Sequence, residues 1–157
     1  MEQWGSVVLI ATTVATGLVA GLLFAWAVSV MPGLRSSDDD TYLSTFRAMD
    51  AAIVSNVFFV IAFVGAPLLT AVAVLIHLDD GARLSWVIAA LAFSLATIGV
   101  TRFVHLPLNA QVKSAVAAQG DFGSLRQRFE SRWVRWNVVR TVTATAALGC
   151  LAVALAM

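Results

Sequence analysis

Four uncharged apolar runs, each close to the thickness of a lipid bilayer, constrain this chain more than any other feature of its sequence. Residues 7–30 and 51–76 run for about 24 and about 26 positions without a charge, and a helix needs roughly 20 to cross a hydrocarbon core. Residues 84–101 and 141–157 give about 18 and about 17, lengths that their flanks complete. With 60% of residues hydrophobic and 12% charged, a water-soluble domain could not hide its apolar surface, so lipid must act as the solvent. The expected fold is all-α, a single transmembrane domain over 1–157 built as an integral membrane four-helix bundle. Its spans are expected at about 6–31, 51–77, 84–105 and 136–156.

The remaining composition narrows the classes. A net charge of +1 without a clustered basic surface gives no reason to expect a nucleic-acid partner. Cys150 stands alone, so an internal disulfide and a cysteine-only zinc site are both ruled out. Met1-Glu2-Gln3 lacks the basic leader of a secretory signal and the apolar run behind it is too long for one, so the first span is expected to be retained.

Between the spans, Arg126, Phe129, Trp133, Trp136, Asn137 and Arg140 recur at helical spacing, with no proline or glycine between them. One continuous helix from about Leu125 into the fourth span follows, a cytoplasmic helical extension with Ser124 as its candidate cap. Asp38-Asp39-Asp40-Thr41 can cap a short helix through Met49. Four spans put both termini and the 77–83 loop on one face. Of the ten basic residues, only Arg83 lies there. The positive-inside rule makes the opposite face cytoplasmic and leaves both termini on the non-cytoplasmic side of a bacterial-type plasma (inner) membrane.

At the cytoplasmic ends of the spans, polar groups distant in sequence converge: Arg35 after the first, Asp50 and Asn56 at the second, Arg102, His105 and Asn109 after the third, and Trp133, Trp136, Asn137 and Arg140 before the fourth. Asn56 lies within an apolar run, where an amide is costly unless another helix satisfies it, and it is expected to face the interior. Arg140, one turn deeper than Trp136, needs a partner, for which Asp50 is the candidate. These residues also have a plainer reading. Tryptophan and arginine anchor helices at membrane interfaces, and His105 reads equally as a satisfied interfacial histidine or a working base. His77, His105 and Cys150 fall at different depths, so no two can share a metal ion in a monomer. Gly17 and Gly21 form a small-xxx-small pair through which a homo-oligomer could close.

Four stretches make the chain resemble the anthrone oxygenase-like family of small membrane proteins. They are 17–35 (GLVAGLLFAWAVSVMPGLR), 58–69 (FFVIAFVGAPLL), Pro107-Leu108-Asn109, and 132–141 (RWVRWNVVRT). The chain departs from the family at Asn56-Val57, where asparagine-proline is common, and at His105, where asparagine is common. The resemblance implies a four-helix membrane bundle. It also implies oxygenation of fused-ring anthrones to anthraquinones in aromatic polyketide biosynthesis, with dioxygen as co-substrate and no metal or flavin.

An anthrone loses a benzylic proton to give an electron-rich anion that reacts with dioxygen directly, so the protein need only deprotonate, hold and shield it. In that scheme His105 is the base, Asn109 and Asn137 donate to the developing oxyanion, and Arg140 stabilises its charge. Trp133, Trp136 and Phe103 supply stacking surface, and Asn56, Arg35 and Asp50 complete the substrate-binding set. The partners are then the bilayer and a small aromatic substrate. The alternative is a non-catalytic membrane protein that binds a lipid or aromatic ligand or anchors an accessory subunit. Transport has less support, since the outer half lacks a polar pathway.

Overall fold

A computed structural model of the chain describes residues 2–118 and 120–157, so Met1 of the leader considered above lies outside the described residues. In order, the elements are α1 (Glu2–Ala25), a π-helical turn (Trp26–Val30), α2 (Met31–Arg35), α3 (Asp39–Ser55), α4 (Val57–Ile76), α5 (Gly81–Val100), a second π-turn (Thr101–His105), α6 (Leu106–Ala117) and α7 (Phe122–Ala156). Among the described residues there is no strand. Four helical stretches are long and apolar enough to cross a membrane: Gln3–Arg35, Val57–Ile76, Gly81–Ala117 and Phe122–Ala156. The chain is therefore an all-α, multi-pass membrane protein. α1 packs on α4 and α7, and α5 packs on α7 and α4, which closes the four spans into a ring.

Two of these stretches exceed what a bilayer requires. Gly81–Ala117 has 37 residues and Phe122–Ala156 has 35, about 50 Å each at 1.5 Å per residue against roughly 30 Å of hydrocarbon. Their surplus, α6 and the first turns of α7, packs with α3 into a helical layer at one end of the bundle. The extension expected before the fourth span is thus one part of a three-helix cap.

Local chemistry sets the boundaries. Asp38 caps α3, its carboxylate accepting from Thr41 N at 2.9 Å, and the helix runs past Met49 to Ser55. Asp121, not Ser124, caps α7 by accepting from Ser124 N at 3.2 Å. Asn56 also proves to be a cap. Its Oδ1 accepts from Phe59 N at 3.1 Å and its backbone is extended, so the apolar run at 51–77 is divided and the span begins at Val57. The expected inward-facing amide is an exposed N-cap, which an asparagine performs well because it satisfies a helix-end donor.

Three apolar clusters follow the bundle axis. Leu9, Ala73, Val87, Ala90, Leu151 and Ala154 fill the end near the termini. Val19, Ala20, Leu23 and Ala144 fill the middle. The opposite end holds Trp26, Tyr42, Phe46, Phe129 and Trp133, with Phe46 edge-on to Phe129 at 4.7 Å and to Trp133 at 5.4 Å, the arrangement that ring quadrupoles favour. Small residues let the helices approach closely, and Thr97 and Thr143 join α5 to α7 through a 2.7 Å hydroxyl contact. Gly17 lies against Leu148 of the same chain, whereas Gly21 faces open space.

At the terminal end, Arg83 donates to the Ala154 carbonyl at 3.1 Å and pairs with Asp80 at 3.0 Å, which satisfies one of α7's last acceptors. Gly5 lies close against His77 there, where a Cβ would meet Nε2 at 3.2 Å and the imidazole would have to shift to admit it. At the other end, Arg126 donates to the carbonyls of Ser37 and Arg35 and to Asp39, and it stacks 4.3 Å over the Tyr42 ring. Burial pushes the Tyr42 phenol above its usual range.

Candidate functional site

A cavity of about 220 Å³ lies where the four spans meet the helical cap, with walls from every long element except α5. Its lining is chiefly apolar, with Leu23 and Trp26 from the first span, Phe46 from α3, Phe59 and Phe63 from α4, and Trp133 from α7. Among them stand five polar side chains: Asp50, Thr101, His105, Asn109 and Arg140. Val54, Val60 and Leu106 line it too and are each at least 42% exposed on the bundle's outside. The cavity therefore opens sideways, through an apolar mouth between the α3–α4 junction and α6.

His105 is 1% exposed, and neither ring nitrogen has a hydrogen-bond partner. Backbone groups of Val100 and Trp133 lie within electrostatic reach of the ring, but neither meets hydrogen-bond geometry. Trp133 packs edge-on against the imidazole at 5.0 Å. A neutral imidazole carries one donor and one acceptor, and leaving either unsatisfied in an interior costs about 1–3 kcal/mol. A buried imidazole in the cavity wall with both functions unpaired is suited to a ligand that exchanges a proton.

Arg140 enters from α7 and is 8% exposed. Its Nη2 donates to Asn137 Oδ1 at 2.8 Å and its Nη1 to Thr101 Oγ1 at 3.3 Å, while Nε is unpaired. The guanidinium lies 5.5 Å over the Trp133 ring. The expected ion pair with Asp50 does not form. Asp50 instead takes Lys113 at 2.9 Å and Asn109 Nδ2 at 2.7 Å, because α6 continues past Pro107 and carries both residues to α3. Arg140 is thus a buried cation held by neutral groups, a costly arrangement unless an anion shares the site.

The asparagines separate into two roles. Asn137 is 1% exposed and engaged through both its nitrogen and its oxygen, donating to the Leu23 carbonyl at 3.2 Å and accepting from Arg140; it is absent from the cavity wall and fixes the arginine. Asn109 does line the cavity, but its amide links Asp50 to the indole Nε1 of Trp133, which donates to it at 3.0 Å. Asn137 is therefore away from a guest in the cavity, whereas Asn109 commits one of its two amide N–H groups to Asp50.

Four residues expected at the site lie outside the cavity. Phe103 is 76% exposed and points away from the bundle. Arg35 is bound to Glu130 at 2.9 Å and joins α2 to α7 outside the cavity. Trp136 is half-buried and Asn56 exposed, and neither lines the cavity. Conversely, Trp26, Phe46, Thr101 and Lys113 were not singled out. Trp26 lies in one of the stretches carrying the family resemblance and Thr101 sits one turn before His105, and both continue the buried spacing of the spans they end.

Residues 55–150 match the profile of the anthrone oxygenase family. The chain belongs to this family. The match includes His105, Asn109, Trp133, Asn137 and Arg140 and leaves out Trp26 and Asp50. No curated protein and no solved structure matches the chain. Family membership supports an oxygenase-type function in general terms.

Proposed function

We propose that this protein oxidises a fused-ring, anthrone-type aromatic with dioxygen inside the membrane, by base-assisted chemistry that needs no metal or flavin. The observation that carries this reading is the pairing, in one apolar cavity, of an imidazole with no hydrogen-bond partner and a guanidinium with no paired carboxylate. His105 takes the benzylic proton. Arg140 stabilises the negative charge that moves onto the ring oxygen, where a dry site makes it most effective. The carbanion carbon bonds dioxygen, and His105 returns its proton to the peroxide. Loss of the second benzylic proton expels the distal oxygen as water and leaves the carbonyl of the quinone.

The walls suit such a guest. About 220 Å³ exceeds the roughly 150 Å³ that admits benzene, and the open side leaves room for further rings. Trp26, Phe46 and Trp133 offer ring surfaces. The apolar mouth supports delivery from the lipid. The excess of basic residues beside α3 and α6 supports a cytoplasmic location for the cavity end, with both termini outward.

The test is turnover of an anthrone by purified protein in detergent under oxygen, read by quinone absorbance. His105→Gln and Arg140→Met should each lower kcat about 10²-fold or more. Near wild-type rates in both variants would overturn the reading. Tight binding of the anthrone without any turnover would favour a ligand-binding protein.

A further inference from the structure

The two π-turns account for which residues face the cavity. Along the first span Gly5, Leu9, Thr12, Thr16, Val19, Leu23 and Trp26 are buried, alternating four and three apart, with Ala20 buried beside Val19, so position 30 comes next. Met31 is buried instead, and Val30 only half-buried. In α5 the buried positions are Val87, Ala90, Ser94 and Thr97, a frame that continues to 101, 104, 108 and 111. Beyond the π-turn, His105, Asn109 and Val112 are buried, each one place late, while Gln111 is exposed; Leu108 is buried as well, but among the apolar side chains of the cap, and it is Asn109 that lines the cavity. α7 has no proline and keeps unbroken spacing from Trp133 through Asn137, Arg140, Ala144, Ala147 and Leu151 to Ala154.

Each π-turn thus acts as a one-residue insertion, closing with an N–H of residue i+5 on the carbonyl of residue i: Met31 to Trp26 and Leu106 to Thr101. A proline lies two residues beyond each turn, Pro32 and Pro107. A proline ring clashes with the carbonyl four residues earlier, here Val28 and Phe103, the middle residue of each turn. Widening the helix there relieves the clash. Pro67 sits in α4 without a π-turn, so proline alone does not create one. What distinguishes the third span is an anchor on either side, Thr97–Thr143 before the turn and Asn109–Asp50 after it.

We propose that Pro107 is a positioning residue: it holds the inserted residue in place, and that insertion aims His105 and Asn109, rather than Val104 and Leu108, at the cavity. Without it, the two halves of the span would rotate relative to one another by roughly 100°, and both anchors could not form together.

Dibromobimane, which fluoresces on bridging two nearby thiols, reads the register. Two cysteine pairs are placed separately in a Cys150→Ala background, Thr97→Cys with Thr143→Cys and Asp50→Cys with Asn109→Cys. Both pairs should crosslink in the otherwise unchanged chain. Adding Pro107→Ala should abolish at least one crosslink. Deleting Phe103 as well should restore both, because removal of the inserted residue lets an ordinary α-helix meet the same two anchors. A substitution that merely destabilised the bundle would not be rescued by removing a further residue. Full crosslinking of both pairs in Pro107→Ala, or failure of the deletion to rescue, overturns the proposal. Quinone formation is measured in the same Pro107 variants with the native side chains at the four cysteine sites. If the crosslinks follow this pattern but no variant, including the native chain, forms quinone, the catalytic reading fails and the register inference stands.

Discussion

Asn137→Asp separates the electrostatic role of Arg140 from its structural one. Asn137 Oδ1 accepts from Arg140 Nη2 at 2.8 Å, so an aspartate there would place a full negative charge on the guanidinium. Two unit charges about 4 Å apart interact by ~4 kcal/mol at an effective dielectric near 20. That is comparable to the ~2.7–4 kcal/mol, or 10²–10³ in kcat, that a single oxyanion-stabilising group supplies. An arginine so neutralised has little field left for substrate. The fold loses less. The new carboxylate cannot donate to the Leu23 carbonyl as the amide does at 3.2 Å, which costs about 1–3 kcal/mol, but the bond to Arg140 becomes an ion pair and offsets part of that.

The expected result is a loss of about 10²-fold in quinone formation with a small change in the thermal midpoint in detergent. Asn137→Leu should lower both. If Asn137→Asp turns over anthrone at half the wild-type rate or better while remaining folded, Arg140 does not stabilise the reacting anion.

Asn56→Ala should cost about 1 kcal/mol through loss of the α4 cap and leave turnover unchanged, with Asn56→Ser recovering most of the loss in thermal unfolding. Phe103→Ala should leave kcat and KM at wild-type values, since the ring faces outward; a large rise in KM would place it in the substrate path after all. Hydrogen bonds from the Thr41 and Ser124 segments hold the exposed carboxyls of Asp38 and Asp121 below the usual carboxylate range. Their capping is therefore at full strength above an unfolded-state pKa of about 3.9 and is lost as pH falls through the lower folded values. Hydrogen exchange at the first turns of α3 and α7 should quicken over that acid range, and Asp38→Asn should flatten the response at α3.

The four spans were legible because hydropathy over some 20 residues reports directly on partition into lipid. The meeting of His105, Asn109, Trp133 and Arg140 was legible as well, since depth along each helix follows from counting residues. What counting could not give was the direction in which a side chain points. Phe103, two residues before His105, was read as a neighbour on the same site, yet residues two apart on a helix lie on nearly opposite faces, and with His105 inward Phe103 points out. Asn56 was misread because an unbroken apolar run hides a helix boundary, and only the extended backbone at that residue reveals it. Asp50 was assigned to Arg140 on charge alone; Lys113 was closer once α6 continued beyond Pro107. A signal for the π-turns was present in the matching placement of Pro32 and Pro107 behind apolar stretches.

The sideways opening changes what concentration means for this protein. A guest that arrives through acyl chains is present at its mole fraction in the surrounding amphiphile, so diluting it with detergent at constant molarity should raise the apparent KM in proportion. Rates compared between micelles, nanodiscs and native membrane therefore agree only after the partition coefficient has been divided out.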